Sequence, residues 1–148
     1  MPLVSGETIN VGALRVRFLV EGDASNGSVT LFECDVPAHC RMPAPHSHDA
    51  FEETIYGLQG VTAWTVNGEA IDLSPGDAMC IPRGSVHGFA NQGPSDAKFL
   101  AVATPGVFGP AYFREIADVL SAEGPPDLAA LAAVMRRHGL TPAAPALA

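Results

Sequence analysis

Basic side chains are scarce in this chain. Eight Lys and Arg stand against sixteen Asp and Glu, for a formal net charge of −8. Nucleic-acid backbones and anionic membrane surfaces are held by Lys and Arg, so neither is expected as a partner. The one basic cluster, Arg136-Arg137-His138, falls at the end of an expected helix, where cations complement the macrodipole. Long apolar runs are missing too, and none approaches the ~20 residues that a bilayer span needs. The opening residues, Met1-Pro2-Leu3-Val4-Ser5-Gly6-Glu7, show no basic stretch followed by an apolar run. No signal peptide is therefore expected, and the cytoplasm is the expected compartment. Cysteine is limited to Cys34, Cys40 and Cys80, an odd set with no C-x-x-C pair, which argues against a disulfide scaffold. Cys34 and Cys80 lie in apolar strand-like runs and read as small buried hydrophobes. No internal repeat is present.

What the chain does contain is a succession of short strands. At 148 residues it suits one domain with a core large enough to need no covalent staple. Leu14, Val16, Phe18 and Val20 recur with period two, and strands are expected around 29–36, 54–59, 61–66, 69–73, 78–81, 86–90 and 98–103. Asn67-Gly68 is a hairpin signal because both central residues of a type I′ turn need positive φ. Pro75-Gly76 and Arg83-Gly84 mark further turns. Many short strands between Gly/Pro turns predict an all-β class, an antiparallel barrel or sandwich, over residues 1–104. The period changes after Pro105. Phe113, Ile116, Ala117 and Leu120 give a helical stripe over 111–122, and Leu128, Leu131, Val134 and Met135 give another over 127–138, with Gly139 as its cap. This helical extension, 105–140, is expected to pack on the barrel, and 141–148 to form a flexible tail.

Histidine carries the chemistry. His46 and His48 stand at i and i+2, which on an extended strand project to one face. Glu53 opens the next strand after a short loop. His87 comes from a distant hairpin and joins them only if the sheet curls round. Three imidazoles and a carboxylate form a mixed N/O set suited to one divalent transition metal ion: iron, manganese, nickel, copper or zinc. His39 and His138 fall outside the pattern and read as ordinary residues. Alternation from Glu53 turns Ile55, Gly57 and Gln59 inward; Gly57 either opens space above the metal or marks a bulge or bend. Alternation from His87 turns Phe89 and Asn91 inward, Phe89 as a wall or as core and Asn91 as a tie on a turn. Trp64, Met79, Phe51 and Phe99 are further wall candidates. Apolar walls around one metal favour a small, partly apolar or aromatic ligand.

The two segments resemble the signatures of the cupin superfamily. His46, His48, Glu53 and Gly60 match the first, G-x5-H-x-H-x3,4-E-x6-G, with Cys40 standing where its leading glycine is expected. Gly76, Pro82, Gly84, His87 and Asn91 match every fixed position of the second, G-x5-P-x-G-x2-H-x3-N. The resemblance implies a double-stranded β-helix, the jelly-roll barrel of the cupins, with the metal inside one mouth and His46, His48, Glu53 and His87 as its ligands. The spacing to Gly60 selects Glu53 over Glu52, which is left solvated or as a nearby hydrogen-bond acceptor. The C-terminal helix pair is similar to that of small single-domain cupins related to quercetin dioxygenase. The implied activity is an oxidoreductase of dioxygenase type, with Glu53 as a fixed ligand or as a catalytic base. Cupins also include isomerases, lyases and non-catalytic binding barrels, and these alternatives stay open. A homodimer is implied as well, with Leu14–Val20 as the natural edge strand.

Overall fold

Period-two burial builds most of the molecule. The computed structural model describes residues 3, 6–42 and 44–143. Its strands are, in chain order, β1 (Thr8–Val11), β2 (Leu14–Val20), β3 (Thr30–Val36), β4 (His46–His48), β5 (Glu52–Gln59), β6 (Thr62–Val66), β7 (Glu69–Leu73), β8 (Ala78–Ile81), β9 (His87–Ala90), β10 (Ala97–Thr104) and β11 (Leu140–Pro142). Helices α1 (Pro110–Leu120) and α2 (Leu128–Arg137) lie between the last two strands. In β3 and β10 every second residue is buried, so one face of their sheet meets the core and the other faces outward. The two sheets are antiparallel, six strands in the order β1-β2-β3-β10-β5-β8 and five in the order β11-β4-β9-β6-β7. Together they form a double-stranded β-helix. The core between them includes Val16, Phe32, Ile55, Trp64 and Phe99.

The outward face of the larger sheet is charged. Arg17 pairs with Glu33 at 3.2 Å, and Lys98 reaches both Glu33 and Asp35 at 3.7 and 3.5 Å, cross-strand neighbours in the observed register. At the hairpin between β6 and β7, Asn67 and Gly68 both take positive φ, 48° and 83°, as the turn requires.

Several local expectations change. β2 is an inner strand, hydrogen-bonded to β1 and β3, so it is not the free edge; β1 is, and α1 packs against it. Leu128 is 67% exposed despite its place on the apolar stripe of α2, while Leu131, Val134 and Met135 are buried. Cys80 is exposed because its position in β8 points away from the core, whereas Cys34 is buried. The expected tail begins as structure: Thr141 and Pro142 belong to β11, which pairs with β4 through Leu140–His48, Thr141–Ser47 and Pro142–His46. Pro142 is tolerated there because β11 is an edge strand. Residues 144–148 of that expected tail lie outside the described residues.

Gly57 is fixed by a close backbone approach. Its N–H donates to Asp77 at 2.9 Å and its carbonyl accepts from Gly76 at 3.0 Å, so the turn after β7 lies directly against it. A Cβ at this position would stand 2.2 Å from the Ser74 carbonyl oxygen. Gly57→Ala is therefore expected to lower stability by about 2 kcal/mol, or the thermal midpoint by roughly 4–8 °C, as strain against backbone. An unchanged midpoint in thermal denaturation would show that the Ser74-Pro75 turn moves freely.

Candidate metal centre

Three buried imidazoles converge between the sheets. His46 and His48 come from β4, held on one side by β9 and on the other by β11; His87 opens β9 and is the register partner of His46. One ring nitrogen from each of the three lies within 4.8 Å of the others, within reach of a single ion. Ring centroids are 4.6–5.1 Å apart. Glu53 stands beside this trio, with Oε2 3.3 Å from Nε2 of His48. All four residues expected as ligands therefore meet here, three histidines within reach of one ion and a buried carboxyl beside them.

Neighbouring turns fix the rings. The Nδ1–H of His46 faces the Ala44 carbonyl at 3.0 Å, and that of His87 the Ser85 carbonyl at 2.9 Å. Each bond places the proton on Nδ1 and leaves Nε2 with a free lone pair, the outer support that metal-binding histidines require. His48 is positioned instead by stacking on Phe51, 4.2 Å away at 18°. The two adjacent glutamates act on opposite faces. Glu52 accepts from Nε and Nη2 of Arg83, both at 2.7 Å, and from the Arg83 backbone at 3.0 Å. That anchors the turn leading to His87. Gly84 in the same turn donates to the His48 carbonyl at 2.8 Å, so the two histidine segments are tied directly together. Asn67 adds bonds to Ser85 and Val86, and Asn91 donates to Val36 and Ser95 while accepting from Gly93.

Burial sets the charge states. Removal from water, together with the neighbouring imidazoles, pushes His46 down to about 3 and His48 to about 2; burial also lowers His87. The trio is neutral at pH 7 and keeps its lone pairs. Burial alone raises Glu53 to about 7. Both partners of the His48–Glu53 contact are thus driven toward their neutral forms.

The donor set fits a divalent transition ion. Neutral imidazole suits iron, nickel, copper and zinc, and the adjacent carboxyl adds oxygen for manganese. His48 supplies a sharper test, because its Nδ1 is buried without a hydrogen-bond partner among the described residues. A neutral imidazole carries one N–H. If it sits on Nδ1, a buried donor is orphaned and the Nε2 lone pair faces a carboxyl oxygen. If it sits on Nε2, the Nδ1 lone pair is orphaned. A cation between Nε2 and the Glu53 oxygen would bond both and fix the proton on Nδ1, which stays without a partner among the described residues.

The trio opens on a small cavity of about 60 Å3. Trp64, Phe89 and Phe99 form one wall, with ring centroids 4.8–5.1 Å apart. Other expected wall residues do not line it. Ile55 is fully buried core, Met79 packs against the core, Phe51 lies behind His48, and Gly57 meets the Ser74-Pro75 turn. Gln59 is exposed, because a bulge at Leu58 reverses the face of β5. The opposite wall comes from segments that strand alternation could not reach: Phe108, Tyr112, Phe113 and Ile116 at and in α1, and Met135 of α2. The i, i+4 series Phe108, Tyr112, Ile116 was the readable signal of that second stripe. Cys34 also lines the cavity, but burial drives its thiol far above the ordinary range, so no thiolate is available at neutral pH.

Comparison with known proteins agrees with this geometry. Residues 32–103 match the family model described as a cupin domain. A quercetin 2,3-dioxygenase of Bacillus subtilis (strain 168) is 30% identical over 114 residues, 76% of this chain and 33% of that protein. The chain therefore spans about a third of the length of that relative. Among solved structures, the polyketide cyclase RemF from Streptomyces resistomycificus superposes with a TM-score of 0.62 at 27% identity, covering 70% of this chain and 79% of that one. A predicted oxalate decarboxylase from Thermotoga maritima gives 0.64 at 23% identity, covering 71% and 99%, which is a likeness of fold alone. Both signature segments lie on the strands and turns that meet at the histidine trio, and residues 32–103, which carry them, match the cupin domain.

Proposed function

We propose that the chain is a metal-dependent enzyme of dioxygenase type acting on a small, partly apolar or aromatic molecule. One observation carries the reading: three neutral imidazoles, two of them with lone pairs fixed by backbone carbonyls, converge on an aromatic-walled cavity. A divalent ion held there supplies Lewis acidity and, where it is redox-active, single-electron exchange. The chain's own residues do the rest. The Ala44 and Ser85 carbonyls orient two of the ligating rings before any ion binds. Trp64, Phe89 and Phe99 hold a flat apolar body and keep water away from it. Oε2 of Glu53, 3.3 Å from His48 and inside the same cavity, is placed to take a proton from a bound hydroxyl or to return one. The dioxygenase relative supports the oxidative reading and matches 76% of this chain. The likeness to a polyketide cyclase keeps a non-oxidative enzyme as the rival.

An oxygen electrode separates the two. The chain, loaded in turn with iron, manganese, nickel and copper, is mixed with a panel of hydroxylated aromatic compounds. Uptake of about one O2 per substrate consumed, with at least one metal, is the expected result. Equal turnover in nitrogen would point to an isomerase or lyase. Ligand bound but recovered unchanged under all conditions would point to a carrier.

A further inference from the structure

The C-terminal helix pair does more than cover the barrel. Tyr112 of α1 is 5% exposed and lines the same cavity as the histidine trio. Its ring is fixed on three sides, with centroids 5.0 Å from Phe108, 5.1 Å from Phe113 and 5.7 Å from His138. Among the described residues its hydroxyl makes no hydrogen bond. The helix presenting it is held firmly: Glu115 takes a bond from Arg137 at 2.6 Å and another from His138, which clamps α1 to the end of α2, while Arg114 pairs with Glu7. Glu53 adds to the burial that raises the Tyr112 hydroxyl well above its ordinary range, so the two groups share one space and the hydroxyl keeps its proton. Among the described residues that line the cavity, the O–H groups are this hydroxyl and the Glu53 carboxyl.

We infer that Tyr112 is a ligand-recognition residue, whose hydroxyl donates a hydrogen bond to a second oxygen on an aromatic ring held with its first oxygen at the histidine trio. This rests on the cavity being the substrate site. Tyr112 and all three histidines line this one cavity. Aromatic walls on both sides suit a flat body. The fixed Tyr112 ring means that little freedom is lost on binding.

The test uses phenol, resorcinol and hydroquinone as probes, titrated calorimetrically into the zinc-loaded chain, where no redox turnover intervenes. The second hydroxyl of either diol cannot reach the same ion as the first, so any gain over phenol reports another contact. At least one diol is expected to bind roughly five- to tenfold tighter than phenol, the worth of one neutral hydrogen bond. In Tyr112→Phe that advantage should fall below about twofold, with phenol affinity and zinc content unchanged. Thermal midpoints supply a second readout. Deleting an unpartnered hydroxyl should leave the ligand-free midpoint unchanged or raised, whereas a structural hydroxyl would lower it. A diol advantage that survives in Tyr112→Phe, or no diol advantage in the wild type, overturns the inference. Failure to load zinc would count against the metal reading instead. The same titrations of the metal-free chain then still measure the Tyr112 contribution.

Discussion

About one equivalent of a divalent metal per chain is expected in the wild-type protein, and less than about a tenth of that in His46→Ala/His87→Ala. The double variant removes two of three converging imidazoles and both rings whose Nδ1–H is held by a backbone carbonyl. His48 alone, placed by stacking on Phe51, retains no chelate. Turnover should vanish with the metal. Glu53→Gln separates the trio from the carboxyl. Glu53 stands outside the three-histidine group, so this variant should keep most of its metal yet lose roughly 10²- to 10⁴-fold in turnover, the usual scale for a missing proton-transfer group. Elemental analysis of the three proteins, beside circular dichroism to show that each folds, decides the matter. Metal retained in the double variant would place the ion elsewhere. Metal lost in Glu53→Gln as fully as in the double variant would restore the four-ligand set expected from the sequence.

The sequence was most legible where side-chain period and turn chemistry agree. The i, i+2 placement of His46 and His48, the distant hairpin carrying His87 and the Asn67-Gly68 turn each follow from local rules, and β4, β9 and the β6–β7 hairpin carry them as such. Legibility failed where the backbone broke its own period. Counting by twos from Glu53 is right as far as Ile55 and then misleads. Gly57 is inward but pressed on another turn, and the bulge at Leu58 turns Gln59 outward. The second failure is one of long range. Leu140-Thr141-Pro142 has no strand signal of its own; it becomes a strand because α2 delivers it to the open side of β4, where Asp49 donates to Gly139 and Thr141 donates to Asp49. The same route brings Tyr112 and Met135 over the cavity. A wall built from the C-terminal helices is written in tertiary packing, and no local pattern near the histidines announces it.

Stability of the metal-free chain should fall steeply with pH, and the histidine trio should cause most of the fall. Burial holds His46 at about 3 and His48 at about 2, against an ordinary imidazole value of 6.5. Below pH 6.5 the unfolded chain takes up protons that the folded chain refuses, so stability is lost as pH falls from there toward 3. Between pH 7 and pH 4 each of these two imidazoles removes about 3 kcal/mol. Glu53 works in the opposite sense. Its carboxyl is raised to about 7, its buried ionised form is destabilising, and protonation over the same interval restores about 3 kcal/mol. The net loss is about 3 kcal/mol before His87, which adds to it in the same direction. A chain of this length should then lose roughly 6–12 °C in its thermal midpoint on going from pH 7 to pH 4. Exposed pairs such as Glu52–Arg83 weaken with the same sign, and the double variant His46→Ala/His87→Ala subtracts them because it retains them. Its midpoint should therefore depend on pH much less than that of the wild type. Equal slopes for the two metal-free proteins would mean that these imidazoles are hydrated in solution, with no pre-formed neutral ligand set for an ion to enter.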